Sequence, residues 1–349
     1  MNGHRSAMED EQMVFHSERR SDPSVFAIFD GHSGRGASMF LKHNLARYLE
    51  RAGGLGSSMD PLKITQACLA LDQDFLKGVD HTHGSTACMA FLHESRLLVA
   101  NIGDSRCLVM DEAGKVKLQT IDHKPNNPIE NKRIHAAGGF VVAGRVDGQL
   151  ALSRAFGDSA FKNSAFRSTV ETQKVIAVPE FASCAVQRGD VIVLACDGLY
   201  ERLTYKAVAK LTMRSVRLGA SPTDIATSLI AKSLAHGSQD NISVMVIIVN
   251  DTRSCDERHN DGDGDGEDTT PNSEERAPPP VVTVEYGIFG VKDMIGDQSS
   301  EYKSAYLNFA KQHNVDDEDI RKVAQKHMKP EMYNSMFNTG TTASHLGVN

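Results

Sequence analysis

Four aspartates at the ends of short apolar segments are the most informative feature of this sequence: Asp30, Asp104, Asp197 and Asp240. Strand ends hold side chains rigidly, and two carboxylates about 4 Å apart repel each other by roughly 4 kcal/mol at an effective dielectric constant near 20. A protein that gathers several such acids needs cations between them. Oxygen ligands without a cluster of Cys or His favour Mg²⁺ or Mn²⁺. The pattern therefore predicts a hydrolytic centre that holds two metal ions.

The segments that must position these acids alternate between strand-like and helix-like patterns over residues 1–250. Apolar runs bounded by turn residues predict strands over 25–29, 86–92, 96–101, 106–110, 175–177, 182–186, 191–196 and 244–249. Helical periodicity and capping residues predict helices over 35–51, 61–77, 128–137, 203–217 and 221–236. Short loops between strands favour antiparallel pairing. Paired helices between groups of strands predict an α+β fold of stacked sheets covered by helices.

The charge of the chain is unevenly distributed along its 349 residues. Residues 1–250 hold 28 Lys and Arg against 26 Asp and Glu, a charge of +2, whereas residues 251–349 hold 10 against 19, a charge of −9. Because the acidity belongs to the C-terminal part, we expect no nucleic-acid partner.

The cysteines and the apolar runs indicate an intracellular chain that does not cross a membrane. The six cysteines have no CxxC spacing and read as reduced thiols, which predicts a cytoplasmic or nuclear location. The longest apolar runs are as short as strands, and no signal peptide precedes the first motif.

Composition divides the chain into three parts. Residues 1–250 form the predicted catalytic domain, and residues 251–280 read as an acidic flexible linker that contains Asp261–Asp268 and ends in three prolines. Residues 281–349 form a C-terminal extension of unknown role, with a candidate strand over 281–286 and partly helical patterns beyond it. We expect this extension to dock on the domain or to hold a partner.

An ordered set of motifs resembles the metal-dependent type 2C serine/threonine protein phosphatases. Each motif alone is weak, but the ordered set is specific and covers residues 2–250. The matching segments are Arg5–Asp10, Phe29–Gly34, Gly84–Ala87, Ala100–Arg106, Asp122–Pro125, Ala137–Gly139, Leu152–Asp158, Cys196–Leu199 and Asp240–Ser243.

This resemblance implies a four-layer α-β-β-α sandwich with a metal site in a cleft at one edge. It implies that Asp30 bridges two metal ions, that the Gly31 carbonyl binds one of them, and that Asp197 and Asp240 complete the core pair. Glu9 would bind directly or through water, and Asp104 would help to hold a weaker third ion. Arg5 would bind the substrate phosphate, and His32 would act as general acid.

The implied reaction is hydrolysis of phosphoserine and phosphothreonine proteins by a monomer. Divalent ions lower the pKa of water enough to provide hydroxide near neutral pH, and the hydroxide attacks phosphorus in line. A serine alkoxide leaves poorly, so protonation by a nearby His assists the reaction.

Two departures from the family pattern bear on activity. Relatives carry a strand before the first motif, and its absence here predicts an unpaired sheet edge and a loosely tied segment around Arg5 and Glu9. Glu201 stands where relatives often have Asp, and its longer side chain is expected to displace the third metal ion.

Other functions remain open at this point. The same departures fit a pseudophosphatase that serves as a binding module. The spacing of Cys196 and Arg202 matches that of cysteine-dependent phosphatases, although Asp197 and Glu201 would place negative charge in the phosphate cradle. The run Asp261–Gly266 resembles the start of a calcium loop, but Asn272 stands at the twelfth position.

Overall fold

Two five-stranded antiparallel sheets form the centre of the computed structural model. It describes residues 1–251, apart from 2, 4, 18, 20 and 163–168, together with the backbone of residues 282–289. The first sheet has the order β1-β2-β5-β6-β12, with β1 Glu11–Phe15, β2 Ser24–Phe29, β5 Ala87–His93, β6 Arg96–Ile102 and β12 Glu180–Ala185. The second has the order β15-β14-β13-β7-β8, with β7 Arg106–Met110, β8 Val116–Gln119, β13 Val191–Ala195, β14 Val244–Asp251 and β15 Val282–Phe289.

Two small sheets complete the described strands. A three-stranded sheet joins β3 Gly31–His32, β4 Gly84–Ser85 and β11 Phe156–Gly157, and a two-stranded sheet joins β9 Val141–Val142 and β10 Arg145–Val146.

Helices cover both outer faces of the sandwich. The helices are α1 Gly36–Ala52, α2 Pro61–Phe75, α3 Pro128–Ala136, α4 Asp197–Tyr200, α5 Tyr205–Arg217 and α6 Pro222–Ala235, with 3-10 turns at Ser159–Phe161 and Val170–Thr172. Side-chain caps begin several of them: Asp60, Asn127, Thr204 and Ser221 each accept a backbone N–H of the first turn. Such caps satisfy donors that have no partner within the helix.

Three apolar layers hold the sandwich together. One lies between α1, α2 and the first sheet, with Phe29, Leu45 and Phe91 in it. The second lies between the two sheets, and the third lies between the second sheet and α5 and α6. The predicted α+β fold, a four-layer α-β-β-α sandwich of two antiparallel sheets, is confirmed.

The strand registers bring the predicted acids to one end of the sandwich. In the first sheet Ile28 pairs with Cys88, and Ala87 pairs with Ile102, so the segments that hold Asp30 and Asp104 leave the sheet together. In the second sheet Ala195 pairs with Val244, which puts the segments of Asp197 and Asp240 side by side.

The outer edge of β14 in the second sheet is covered. β15 pairs with β14 over its whole length, from Val244 opposite Phe289 to Asp251 opposite Val282. The prediction of an unpaired edge named no sheet; at β14 the edge is not open, because a strand from beyond residue 280 occupies it.

Hydrogen bonds hold the N-terminal segment to residues 240–242, whereas the sequence predicted a loosely held segment around Arg5 and Glu9. Met1 exchanges two backbone hydrogen bonds with Ile242, at 2.7 and 2.9 Å. A Cβ atom added to Gly3 would lie 2.1 Å from the carbonyl oxygen of Asp240, so only glycine fits this approach. The Asn241 side chain accepts from the N–H of Glu9 and donates to the carbonyl of Ala7.

The predicted strand over 175–177 is wrong. Val175, Ile176 and Ala177 are buried, but Ile176 makes only a single bridge to Arg154. The apolar run reflects packing in an irregular segment rather than sheet pairing.

No helix in the described ranges combines the length and the apolar character needed to cross a bilayer. The predicted acidic linker over 251–280, the predicted helical pattern beyond residue 290 and the calcium-loop pattern fall outside the described residues, apart from Asp251.

Candidate metal centre

Three of the predicted acids converge. One carboxylate oxygen from each of Asp30, Asp104 and Asp197 lies within 4.8 Å of the others. Asp104 is buried, whereas Asp30 and Asp197 keep partial access to solvent. Three carboxylates at such spacing match the oxygen-rich ligand sets of hard divalent cations.

A buried hydroxyl network fixes the relative positions of Asp30 and Asp104. Thr86 accepts the N–H of Asp30 through Oγ1 at 3.1 Å, and its own N–H donates to the Asp30 carbonyl at 2.9 Å. The Thr86 hydroxyl also bonds to Ser105, next to Asp104, at 2.7 Å. Behind this turn, the buried His123 ring accepts the N–H of Gly103. The turns that present the two carboxylates are therefore braced against each other.

The electrostatics of the cluster favour a bound cation. Removal from water and the charges of four neighbouring aspartates raise the pKa of Asp30 well above its usual range. Burial, then the charges of Asp104 and Asp240, raise the pKa of Asp197 to about 7, against the opposing charge of Lys124. Shifts in this direction mean that the negative charges are poorly compensated by the protein alone, so the residues present fit divalent metal ions.

Asp104 has a protein cation beside it. The Lys124 ammonium donates to Asp104 Oδ2. Burial lowers the pKa of Lys124, but the charge and hydrogen bond of Asp104, together with the charges of Asp197 and Asp122, outweigh burial and raise it. The sequence pattern predicts no role for Lys124, although it lies in one of the family motifs.

Asp240 is near the cluster but pairs with Arg5 instead of closing it. Arg5 Nη2 lies 2.9 Å from Asp240 Oδ2, and the Arg5 side chain is 59% exposed. The three-residue cluster does not include Asp240, although its charge contributes to the raised pKa values of Asp30 and Asp197. The structure thus brings the predicted phosphate ligand and a predicted metal ligand into direct contact.

Glu9 and Gly31 lie side by side where β3 of the three-stranded sheet begins. Ser38 donates to the Glu9 carbonyl at 2.5 Å, and the Glu9 carboxylate acts electrostatically on both Arg5 and His32. A Cβ atom at Gly31 would lie 2.3 Å from the Glu9 carbonyl oxygen, which excludes any larger residue there. The metal-binding roles of Glu9 and of the Gly31 carbonyl stay predictions.

His32 pairs with an acid to which the sequence gave no role. His32 Nε2 lies 2.8 Å from Asp158 Oδ2 and 3.0 Å from Oδ1. Burial lowers the pKa of His32, but the hydrogen bond and the charge of Asp158, together with the charges of Asp104 and Glu9, outweigh burial and raise it. The protonated ring is therefore stabilised, which is the state that a general acid needs.

Asp10 and Cys196 lie close to Asp30 on its buried side. Asp10 Oδ2 accepts from Ser243 at 2.8 Å, while Oδ1 is buried without a partner among the described residues. Burial raises the pKa of Asp10 to about 6 and that of the Cys196 thiol well above its usual value. Cys196, Asp10 and Asp30 are close enough to hold an ion, but a protonated thiol is a poor ligand.

Glu201 is directed to a neighbouring loop. Its Oε2 accepts from Ser238 Oγ at 3.0 Å and from the N–H of Gln239 at 3.1 Å. The Glu201 carboxylate therefore braces the residues just before Asp240, and the three-acid cluster does not include it.

Comparisons with known proteins identify the family of this chain. The family model described as protein phosphatase 2C matches residues 1–242. The chain belongs to the protein phosphatase 2C family. It is 35% identical to "Probable protein phosphatase 1N" from Homo sapiens, over 70% of this chain and 58% of that protein. It is 36% identical to "Protein phosphatase 2C homolog 3" from Schizosaccharomyces pombe, over 71% of this chain and 62% of that protein.

A solved phosphatase structure shares the fold. The crystal structure of a phosphatase from Toxoplasma gondii is 30% identical to this chain, with a TM-score of 0.64 over 70% of this chain and 89% of that chain. The chain spans less than two thirds of the length of the first curated relatives it matches. The comparisons therefore establish the family, a family of protein serine/threonine phosphatases, and leave the activity of this chain to be tested.

Proposed function

We propose that this chain is a metal-dependent protein serine/threonine phosphatase. The observation that carries the proposal is the convergence of Asp30, Asp104 and Asp197 at one end of the sandwich. Its substrates would be phosphoserine and phosphothreonine proteins.

The carboxylates of Asp30, Asp104 and Asp197 would hold Mg²⁺ or Mn²⁺, with Asp240, Glu9 and the Gly31 carbonyl as further ligands. We propose two core ions and a weaker third ion beside Asp104. The chemistry that such ions supply is a lower pKa for water and charge stabilisation on phosphate oxygens. The unpartnered Asp10 Oδ1 provides one more buried oxygen behind the cluster.

Arg5 would bind the substrate phosphate. Its guanidinium is close to the cluster through Asp240, and its side chain is largely exposed. A planar guanidinium can make two parallel hydrogen bonds to phosphate oxygens. Binding of a phosphate would replace the single contact with Asp240 Oδ2.

His32 would donate the proton to the leaving serine or threonine oxygen. Asp158 holds Nε2 and favours the protonated ring. Nδ1 is then the ring nitrogen that could transfer a proton. Asp158 acts through His32 and is a positioning residue.

The test is hydrolysis of a phosphothreonine peptide by the purified chain with Mn²⁺. Asp30→Asn should abolish hydrolysis, and EDTA should stop it. Cys196→Ser is the matched control for a cysteine mechanism. Cys196 is buried, and its sulfur is engaged by the backbone of Asn241 and Ser243, so this variant should keep its activity. Turnover that survives exhaustive chelation, or that is lost in Cys196→Ser and kept in Asp30→Asn, would reject the proposal.

A second candidate function is a pseudophosphatase that serves as a binding module. The observation that favours it is the protein cation beside each of two acids: Lys124 beside Asp104 and Arg5 beside Asp240. Calorimetric titration with Mg²⁺ and Mn²⁺, run together with the hydrolysis assay, separates the two functions. Metal binding without turnover supports the binding module.

The predicted monomeric state, the cytoplasmic or nuclear location and a partner for residues 281–349 stay predictions.

A further inference from the structure

The outer edge of the second sheet is covered by a strand that comes from far along the chain. β15 runs antiparallel to β14 with eight residue pairs in register. Asp251 pairs with Val282, so a hairpin turn of two to five residues would have been enough to connect them. The connection instead spans residues 252–281, whose sequence is rich in Asp and Gly.

The direction of the β14 amides shows which groups β15 would satisfy. Val249 donates to Asp190, and the N–H of Cys196 donates to Ser243. Since N–H and C=O groups alternate in direction along a strand, residues 243, 245, 247 and 249 face β13. Residues 244, 246, 248 and 250 therefore face β15, opposite residues 289, 287, 285 and 283.

The first residue of the chain lies on the same edge. Ile242 also faces away from β13, and it exchanges both backbone hydrogen bonds with Met1. The ladder along this edge thus passes from β15, which ends at Phe289 opposite Val244, to Met1 opposite Ile242. Asp240 and the segment that leads to Arg5 and Glu9 follow immediately.

We propose that the outer edge of β14 is a strand-acceptor site, filled by residues 282–289 of the same chain, and that the geometry of Asp240 beside it depends on this filling. An unpaired edge exposes a row of N–H and C=O groups that invites pairing with another chain. The register gives these groups a partner from within the molecule. Filling the site also holds the start of β14 and the adjoining Met1–Arg5 segment, so the geometry of Asp240 depends on a segment beyond the residues matched by the family model.

The test compares Glu285→Pro with Glu285→Ala in the full-length chain, using residue-resolved amide hydrogen exchange. Proline removes the N–H that faces Ile248, whereas alanine keeps it and removes the same side chain. We expect the amides of Val246 and Ile248 to be protected in the unmodified chain and in Glu285→Ala. In Glu285→Pro their exchange should rise at least about tenfold, because these amides lose the strand that they face. The amides of Met245 and Ile247, which face β13, are the internal control and should stay protected.

A synthetic peptide of residues 282–289 should restore the protection in Glu285→Pro. Global unfolding of Glu285→Pro beside a folded Glu285→Ala would also support the proposal, because a proline in an unpaired tail would not unfold the domain. Equal exchange in the two variants, or unprotected Val246 and Ile248 amides in the unmodified chain, would overturn it. So would protection that appears only with a dimer in light scattering, since a second copy would then be the occupant.

The link to Asp240 rests on the proposed function and has its own readout. Hydrolysis of the phosphothreonine peptide should fall in Glu285→Pro and recover with added peptide. Loss of amide protection with unchanged hydrolysis would overturn this link. Absence of hydrolysis in every form, including the unmodified chain, would reject the proposed function, while the exchange data would still decide the strand-acceptor site.

Discussion

Replacing Asp197 by Asn should stabilise the metal-free protein at neutral and alkaline pH. Asp197 lies in the first turn of α4, within 4.8 Å of Asp30 and Asp104 oxygens. Asn has nearly the same shape but no charge. The substitution therefore removes the repulsion and the burial of charge while it keeps the packing.

The magnitude follows from the pKa of Asp197. Burial, Asp104 and Asp240 raise it from 3.8 to about 7. The folded state then binds a proton more tightly than the unfolded state. The contribution of this proton to the free energy of unfolding is fully present below pH 3.8 and is lost as pH rises from 3.8 to about 7. The pKa rises by about 3 units, and each unit corresponds to about 1.36 kcal/mol. The charged Asp197 therefore lowers the free energy of unfolding by roughly 4 kcal/mol at pH 8. Loss of a negative charge at the N-terminus of α4 in the Asp197→Asn variant would subtract roughly 0.3–1 kcal/mol.

The assay is urea unfolding of the unmodified chain and of Asp197→Asn in EDTA, at pH 4 and pH 8. We expect nearly equal free energies of unfolding at pH 4 and a variant more stable by roughly 3–4 kcal/mol at pH 8. Mg²⁺ should then stabilise the unmodified chain much more than the variant.

The matched control is Glu50→Gln, an exposed acid on α1, which should change the free energy of unfolding by less than about 0.5 kcal/mol at both pH values. A difference for Asp197→Asn that is the same at pH 4 and pH 8, or an Asp197→Asn variant less stable than the unmodified chain at pH 8 in EDTA, would refute the reasoning.

Three further predictions concern single side chains around the centre. Asp158→Asn should lower the pKa of His32 and move the alkaline limb of the kcat/KM profile to lower pH, because the protonated His32 is lost as pH rises through its pKa; an unmoved limb would contradict the role of His32 as general acid. Thr86→Val should lower the free energy of unfolding by about 1–3 kcal/mol through the loss of two hydrogen bonds, whereas Thr86→Ser should recover most of it in urea unfolding; equal effects of the two variants would show that the hydroxyl is not what matters. Cys196→Ala should keep kcat within a few-fold of the unmodified value in the peptide assay, and a total loss would mean that its thiol takes part in the reaction.

Most helices and strands could be predicted from the sequence because its local signals agree with its tertiary packing. The helix that begins at Pro61 was predicted from Asp60 and Pro61, and Asp60 does cap it. The predicted segment over 106–110 is β7 with the same bounds. The strand predicted over 175–177 was wrong because burial alone does not distinguish a strand from an irregular buried segment.

The sequence was less informative about contacts within the centre. The ion pairs of Lys124 with Asp104 and of Arg5 with Asp240 join residues that are distant in the chain, and no periodicity reports such proximity. Asp158 lies in a motif of its own, and only the folded chain shows its contact with His32. The pairing of residues 282–289 with β14 was not predicted, because a strand-like sequence pattern does not indicate which other strand it pairs with.

The most direct test of the central claim is an anomalous-scattering map of a crystal of this chain soaked in Mn²⁺. We expect strong peaks between the carboxylates of Asp30, Asp104 and Asp197, with Asp240 turned from Arg5 towards them. The prediction would be contradicted by a map, recorded after a complete soak, that shows no peak among these acids and keeps Lys124 paired with Asp104 and Arg5 paired with Asp240.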